Sequence, residues 1–82
     1  MMPLYRDDGF TFRFAEDRII PRFHLEGVRP GKRVSVFKLD PCKSERLYLL
    51  LQATVGDGGW VNLPEPIIVR AGEMFEAVPH EA

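Results

Sequence analysis

The sequence predicts an all-β fold, a small single-domain antiparallel β-sandwich or partly open barrel of about seven strands. Three observations carry this. Apolar side chains alternate with polar ones from Phe10 onward, turn-forming glycine and proline clusters separate the runs, and β-branched and aromatic residues fill them. An 82-residue chain is one domain, spanning 1–82, with residues 1–9 read as a leader and 79–82 as a loose tail. The 45% hydrophobic and 11% aromatic content suffices for a packed interior, and 28% charged residues suit a solvated surface.

In chain order, Phe10, Phe12 and Phe14 alternate with Thr11 and Arg13, the pattern of a half-buried strand. From Arg18 to Glu26, Ile19, Pro21, Phe23 and Leu25 share one face, and Arg18, Ile20, Arg22 and His24 the other. Pro21 has no amide proton, which places this strand at a sheet edge or interrupts it there. Arg29-Pro30-Gly31-Lys32 fits a type II turn, with proline first and glycine second of the two central residues. In the next strand Val34 and Val36 face one way, Phe37 and Leu39 the other, so both faces are covered or a bulge falls near Phe37.

Residues 46–55 admit two readings. As a strand, Leu47, Leu49, Leu51, Ala53 and Val55 line one face. As a helix, Asp40 caps, Pro41 takes the first turn and Gly56 ends it. The strand is favoured because Asp57-Gly58 then reads as a tight hairpin turn that needs a strand on each side. Beyond it, Gly59 to Leu63 forms a short strand, Pro64-Glu65-Pro66 breaks it, Ile67 to Arg70 resumes, and Ala71-Gly72 turns the chain into a last strand from Glu73 to Val78.

Val34-Ser-Val-Phe-Lys-Leu-Asp40, Lys43-Ser-Glu45-Arg-Leu, Thr54-Val-Gly-Asp-Gly-Gly-Trp60 and Leu63-Pro-Glu-Pro66 together resemble the strand and turn series of bacterial immunoglobulin-like and carboxypeptidase-regulatory-like β-sandwiches. The resemblance spans roughly residues 32–78. It implies an accessory or adhesive module and carries over no functional residue. The chain departs from that pattern in that its opening residues are not expected to act as an export signal and in placing Trp60 out of phase with Val61 and Leu63.

The composition excludes several function classes. Net charge is −1, so no overall field draws the chain to nucleic acid or to an anionic membrane. Charge is nonetheless uneven, since residues 1–46 hold ten of the eleven Lys and Arg against seven acids, whereas 47–82 hold Arg70 against five. No apolar stretch is long enough for a membrane span. The single Cys42 forms no internal disulfide, and the opening residues do not read as a signal peptide, which together predict a cytoplasmic protein. Cys42, His24 and His80 are too scattered to predict a metal site, and no cofactor is predicted. Asp40, Glu45 and Asp57 lack a calcium-loop pattern. No nucleophile elbow, phosphate loop or paired-carboxylate arrangement occurs, so the chain is read as non-enzymatic.

The expected function is an interaction module with a homo-oligomeric or other protein partner. Its predicted surface comprises Ile20, Arg22, His24, Tyr48, Leu50 and Trp60, an apolar and aromatic set opposite the Phe23 and Leu47 rows. Two alternatives draw partly on the same residues. Single-stranded nucleic acid would use Arg13, Arg22, Lys32, Arg33 and Lys38 with Phe23, Phe37 or Trp60 stacking on bases. Carbohydrate would use Trp60 and Tyr48 as a platform.

Overall fold

A computed structural model describes residues 10–80, and the leader reading for 1–9 lies outside the described residues. The architecture is all-β. Six strands run in chain order as β1 (Phe10–Arg13), β2 (Arg18–His24), β3 (Arg33–Leu39), β4 (Arg46–Thr54), β5 (Trp60–Val69) and β6 (Met74–Pro79). They form an antiparallel four-stranded sheet ordered β1-β6-β3-β4 and a two-stranded antiparallel ribbon of β2 and β5.

Residues 46–54 are strand, as the alternation predicts, but not for the reason of a hairpin with β5. β4 pairs with β3, β5 pairs with β2, and the Gly-Asp-Gly-Gly turn carries the chain from one sheet to the other. Positive φ falls on Gly58 (+70°) and Gly59 (+85°), within a single 3-10 turn at Asp57–Gly59, rather than on Asp57. The turn is fastened on both sides. Gly56 donates its N–H to Trp60 O at 2.7 Å, and Leu25 donates to Gly59 O at 2.9 Å.

The other turns follow their sequences. Gly31 has φ +92° and Lys32 N–H reaches back to Arg29 O, the geometry of the predicted type II turn. Six strands replace the expected seven because Pro64-Glu65-Pro66 does not end β5. Ile20 pairs with Ile67 and Arg22 with Asn62, so residues 63–66 form a long bulge without cross-strand partners, Leu63 still packing against the core, and the strand continues beyond them. Past Val78, Pro79 closes β6 opposite Val34 and His80 donates its N–H to Arg33 O, while residues 81–82 of the expected tail lie outside the described residues.

The core lies between the two sheets. From the large sheet, Val34, Val36, Ala53, Val55, Phe75 and Ala77 point inward, and from the ribbon side Leu25, Val61 and Val69 meet them. Leu25, Val34, Val55, Val61 and Val69 are fully buried, each contributing about 1.5–3 kcal/mol. A surface pair such as Arg18–Glu16, 3.5 Å apart and well exposed, contributes at most about 1 kcal/mol. Burial therefore decides the fold. Two strands cannot cover four, however, and Phe12, Phe14, Ile20, Phe23 and Ile67 stay half-buried around an apolar cleft of ≈ 40 Å³.

The ribbon crosses the large sheet diagonally. One end is held at the C-terminal end of β4, where Gly31 donates to Val55 O and Gly56 donates to Trp60 O. Its other end is held beside the β1–β6 edge, where Gly72 donates to Phe14 O at 2.7 Å and Ala71 donates to Asp17 Oδ1 at 2.8 Å. The corner formed by the first half of β4 is left uncovered.

Polar ties close the sheet margins. Lys38 donates to Glu73 Oε2 at 2.5 Å, and Arg70 N–H donates to Glu73 Oε1 at 2.6 Å. These bonds, the Lys38 bond foremost, hold the Glu73 carboxyl below its ordinary pKa of 4.5. A depressed carboxylate pKa adds stability that is fully present at neutral pH and is lost as pH falls below 4.5 toward the folded-state value. The Glu73→Gln variant should therefore lose less stability than the parent on acidification. Urea midpoints measured at neutral pH and again well below 4.5 check this, and parallel acid limbs would contradict it.

Candidate functional site

The predicted surface residues separate into three places. Arg22, His24 and Trp60 come together on the outward face of the β2–β5 ribbon. His24 pairs directly with Trp60, with ring centroids 5.1 Å apart. The Arg22 guanidinium sits over the Trp60 ring at 4.3 Å, a cation–π contact that holds its planar fork in place. His24 Nε2 lies 2.7 Å from Gly58 O; a carbonyl can only accept, so Nε2 carries the proton and donates.

Tyr48 and Leu50 lie on the uncovered corner of β4, in the other sheet. Their neighbours are equally exposed: Leu47 is 54%, Tyr48 55%, Leu49 49% and Leu50 36% accessible. Two bulges produce this arrangement. Val36 pairs with Leu51 and Phe37 with Leu49, leaving Leu50 as an extra residue. Lys38 then pairs with Tyr48 and Leu39 with Arg46, leaving Leu47 as a second. The bulge anticipated near Phe37 thus exists, and the extra residues are on β4. Leu47 and Leu49, expected on the buried row with Leu51, are instead open to solvent.

Ile20 is displaced in the opposite sense. It was expected outward beside Arg22 and His24, but it is half-buried, packs against the core and lines the cleft. The register shift at Pro21 is the cause: Ile20 and Phe23 both turn inward, so Ile19 and Arg22 turn outward. Ile19 and its cross-strand partner Ile68 are 68% and 73% exposed, the two most exposed large hydrophobics among the described residues. Pro21 inside the alternation was the available signal for this, and the unbroken Leu47-Tyr-Leu-Leu-Leu51 run was the signal for β4.

The remaining candidates are dispersed. Arg13 donates to Pro41 O at 3.1 Å, Lys32 to His80 O at 2.9 Å, Arg33 to Thr54 Oγ1 at 3.2 Å, and Lys38 to Glu73. Phe23 faces the core, and Phe37 lies under the Arg46 guanidinium at 4.3 Å, with Arg46 also donating to Glu76 Oε1 at 2.8 Å. These basic and aromatic groups do not form one stripe. Ser35 Oγ and His80 Nε2 are 2.5 Å apart, and Gln52 donates to the same Oγ at 3.0 Å. Ser35 is only 6% exposed, so this contact serves as a tie between β3, β4 and the end of β6.

Among the described residues no three His, Cys, Asp or Glu side chains are placed to hold a metal ion, and no helix is long and apolar enough to cross a membrane. Asp40 Oδ1 accepts the N–H groups of Cys42 and Lys43, organising a loop in which Cys42 is exposed. No protein-family model matches the chain, and neither characterised proteins nor solved structures gave a match.

Proposed function

We propose that the chain is a non-enzymatic interaction module that self-associates through the free corner of β4. One observation carries this reading. Four consecutive apolar residues, Leu47 to Leu50, stand exposed on a terminal strand of the large sheet. A run of exposed apolar side chains on both sides of a sheet edge marks a partner site, and a second copy brings an identical run that a two-fold axis can appose. The bulges at Leu47 and Leu50 make the backbone edge a poor template for open-ended strand addition, which favours a closed contact made by side chains.

The finer description, an immunoglobulin-like accessory or adhesive sandwich, rests on the sequence resemblance of residues 32–78. A cytoplasmic setting is supported by the exposed, unpaired thiol of Cys42, which persists best where thiols are kept reduced. Carbohydrate stacking is less favoured, because Arg22 already occupies a face of the Trp60 ring.

Sedimentation equilibrium from micromolar to millimolar protein tests the reading. The parent is expected to approach dimer mass, and Leu49→Glu to remain monomeric with an unchanged circular dichroism spectrum, since Leu49 is half exposed. A parent that stays monomeric throughout that range overturns self-association.

A further inference from the structure

We infer that the outward face of the β2–β5 ribbon is a second binding surface, which takes a short extended peptide segment combining an acidic side chain with an aliphatic one. This goes beyond self-association through β4 and uses none of its residues.

The face is defined by three outward cross-strand pairs: Ile19 with Ile68, Arg22 with Asn62, and His24 with Trp60. Their inward neighbours Ile20, Phe23, Val61 and Ile67 anchor the ribbon to the core, so the outward groups stand on a supported backbone. At one end Arg22 is laid against Trp60, and His24 is tethered to Gly58 O. None of the ion pairs among the described residues involves Arg22, and no carboxylate occupies any of the six outward positions. A guanidinium whose plane is already fixed loses little freedom on meeting a carboxylate, and its fork matches the two carboxylate oxygens. Asn62, paired with Arg22, adds an amide that both donates and accepts.

At the other end stand Ile19 and Ile68, at 68% and 73% exposure. Ile19 and Arg22 are three residues apart along β2, about 10 Å of extended chain. A ligand that covers both ends therefore presents an acidic group and an aliphatic group about 10 Å apart, a separation that a few residues of extended peptide span. Charge complementarity selects the acid, and the isoleucine pair selects peptide over nucleic acid. A phosphodiester strand would satisfy Arg22 but leave both isoleucines in water, and a chain of net charge −1 offers no field to gather a polyanion.

The chain's single tryptophan lies inside this surface, so its emission reports occupancy directly. The experiment titrates the full chain with a synthetic peptide alternating glutamate and leucine, with the same peptide carrying lysine for glutamate, and with oligothymidylate. The acidic peptide is expected to give a saturable change in Trp60 emission that weakens with salt. The lysine peptide and the oligonucleotide are expected to give none.

Calorimetry of the variants should show Arg22→Gln weakening the acidic peptide by about tenfold or more, the loss of one charge-assisted contact. Ile68→Thr, at an exposed strand position, should weaken it roughly three- to tenfold through lost apolar contact. Equal binding of the acidic and lysine peptides, or an Arg22→Gln variant that binds as the parent does, overturns the inference. So does a saturable response to oligothymidylate alone, which would assign the face to nucleic acid. Repeating the titration in Leu49→Glu separates the two surfaces, since the ribbon response should persist in a monomer.

Discussion

Substituting alanine for Gly59 is expected to destabilise the fold by about 2–4 kcal/mol, combining a forced left-handed backbone with a main-chain collision. Gly59 has φ +85°, where a Cβ costs roughly 1–2 kcal/mol through its approach to the following carbonyl. The added methyl would also lie 2.6 Å from Leu25 O, a backbone atom, and 3.1 Å from His24 Nε2. Leu25 has little room to retreat, because it is fully buried and its own N–H donates to Gly59 O. A domain of this size has a total stability of about 4–12 kcal/mol, so the change removes a large share. Gly58→Ala separates the two causes. Its φ is also positive, at +70°, but its Cβ would meet only Trp60 Cδ1 at an ordinary 3.6 Å, so it should cost only the backbone part. Denaturant midpoints that fall equally for both variants would refute the collision.

The same turn shows how far the sequence is readable. Glycines at 56, 58 and 59 announce a reversal, and the alternation before them announces a strand, because both are local properties of the chain. Which strand lies on the far side of the reversal is not local. A turn that joins paired strands and a turn that switches sheets draw on the same residues, and the choice depends on whether β3 or β5 fills the edge beside β4. Leu25 decides it physically, since it occupies the core beneath Gly59 and holds β5 against β2.

Site residues divide along the same line. Arg22, His24 and Trp60 were legible as outward groups because each is polar or out of phase with its apolar neighbours. Ile19 and Ile20 are chemically identical, so only the register decides which is exposed, and Pro21 reset it. Leu47 and Leu49 have the periodicity of core residues. They are exposed because the bulges at Leu50 and Leu47 break that periodicity, putting Leu49 beside Phe37 on the face away from the ribbon, and because the two-stranded ribbon leaves this end of β4 uncovered.

Removing the ring of Phe75 should have the largest effect, with Phe75→Ala expected to cost about 3–5 kcal/mol. The side chain is 6% exposed at the centre of the large sheet. It meets Phe14 edge-on at a centroid separation of 5.9 Å, and the Lys38 ammonium lies 5.4 Å from its ring centre. Its loss therefore cuts three links at once: burial, the aromatic contact with the residue that leads out of β1, and the cation–π contact beside the Lys38–Glu73 pair. Phe75 also lines the inter-sheet cleft, so the new void joins an existing one of ≈ 40 Å³. Phe37→Ala is the control. Phe37 is on the opposite face, half-buried under Arg46, and should cost clearly less than Phe75→Ala because, among the described residues, no sheet packs over it. If the cleft is apolar and dry throughout, benzene should bind the Phe75→Ala void and raise its thermal midpoint while leaving the parent almost unchanged. A Phe75→Ala protein as stable as Phe37→Ala would mean that the ribbon does not pack on the large sheet through this ring.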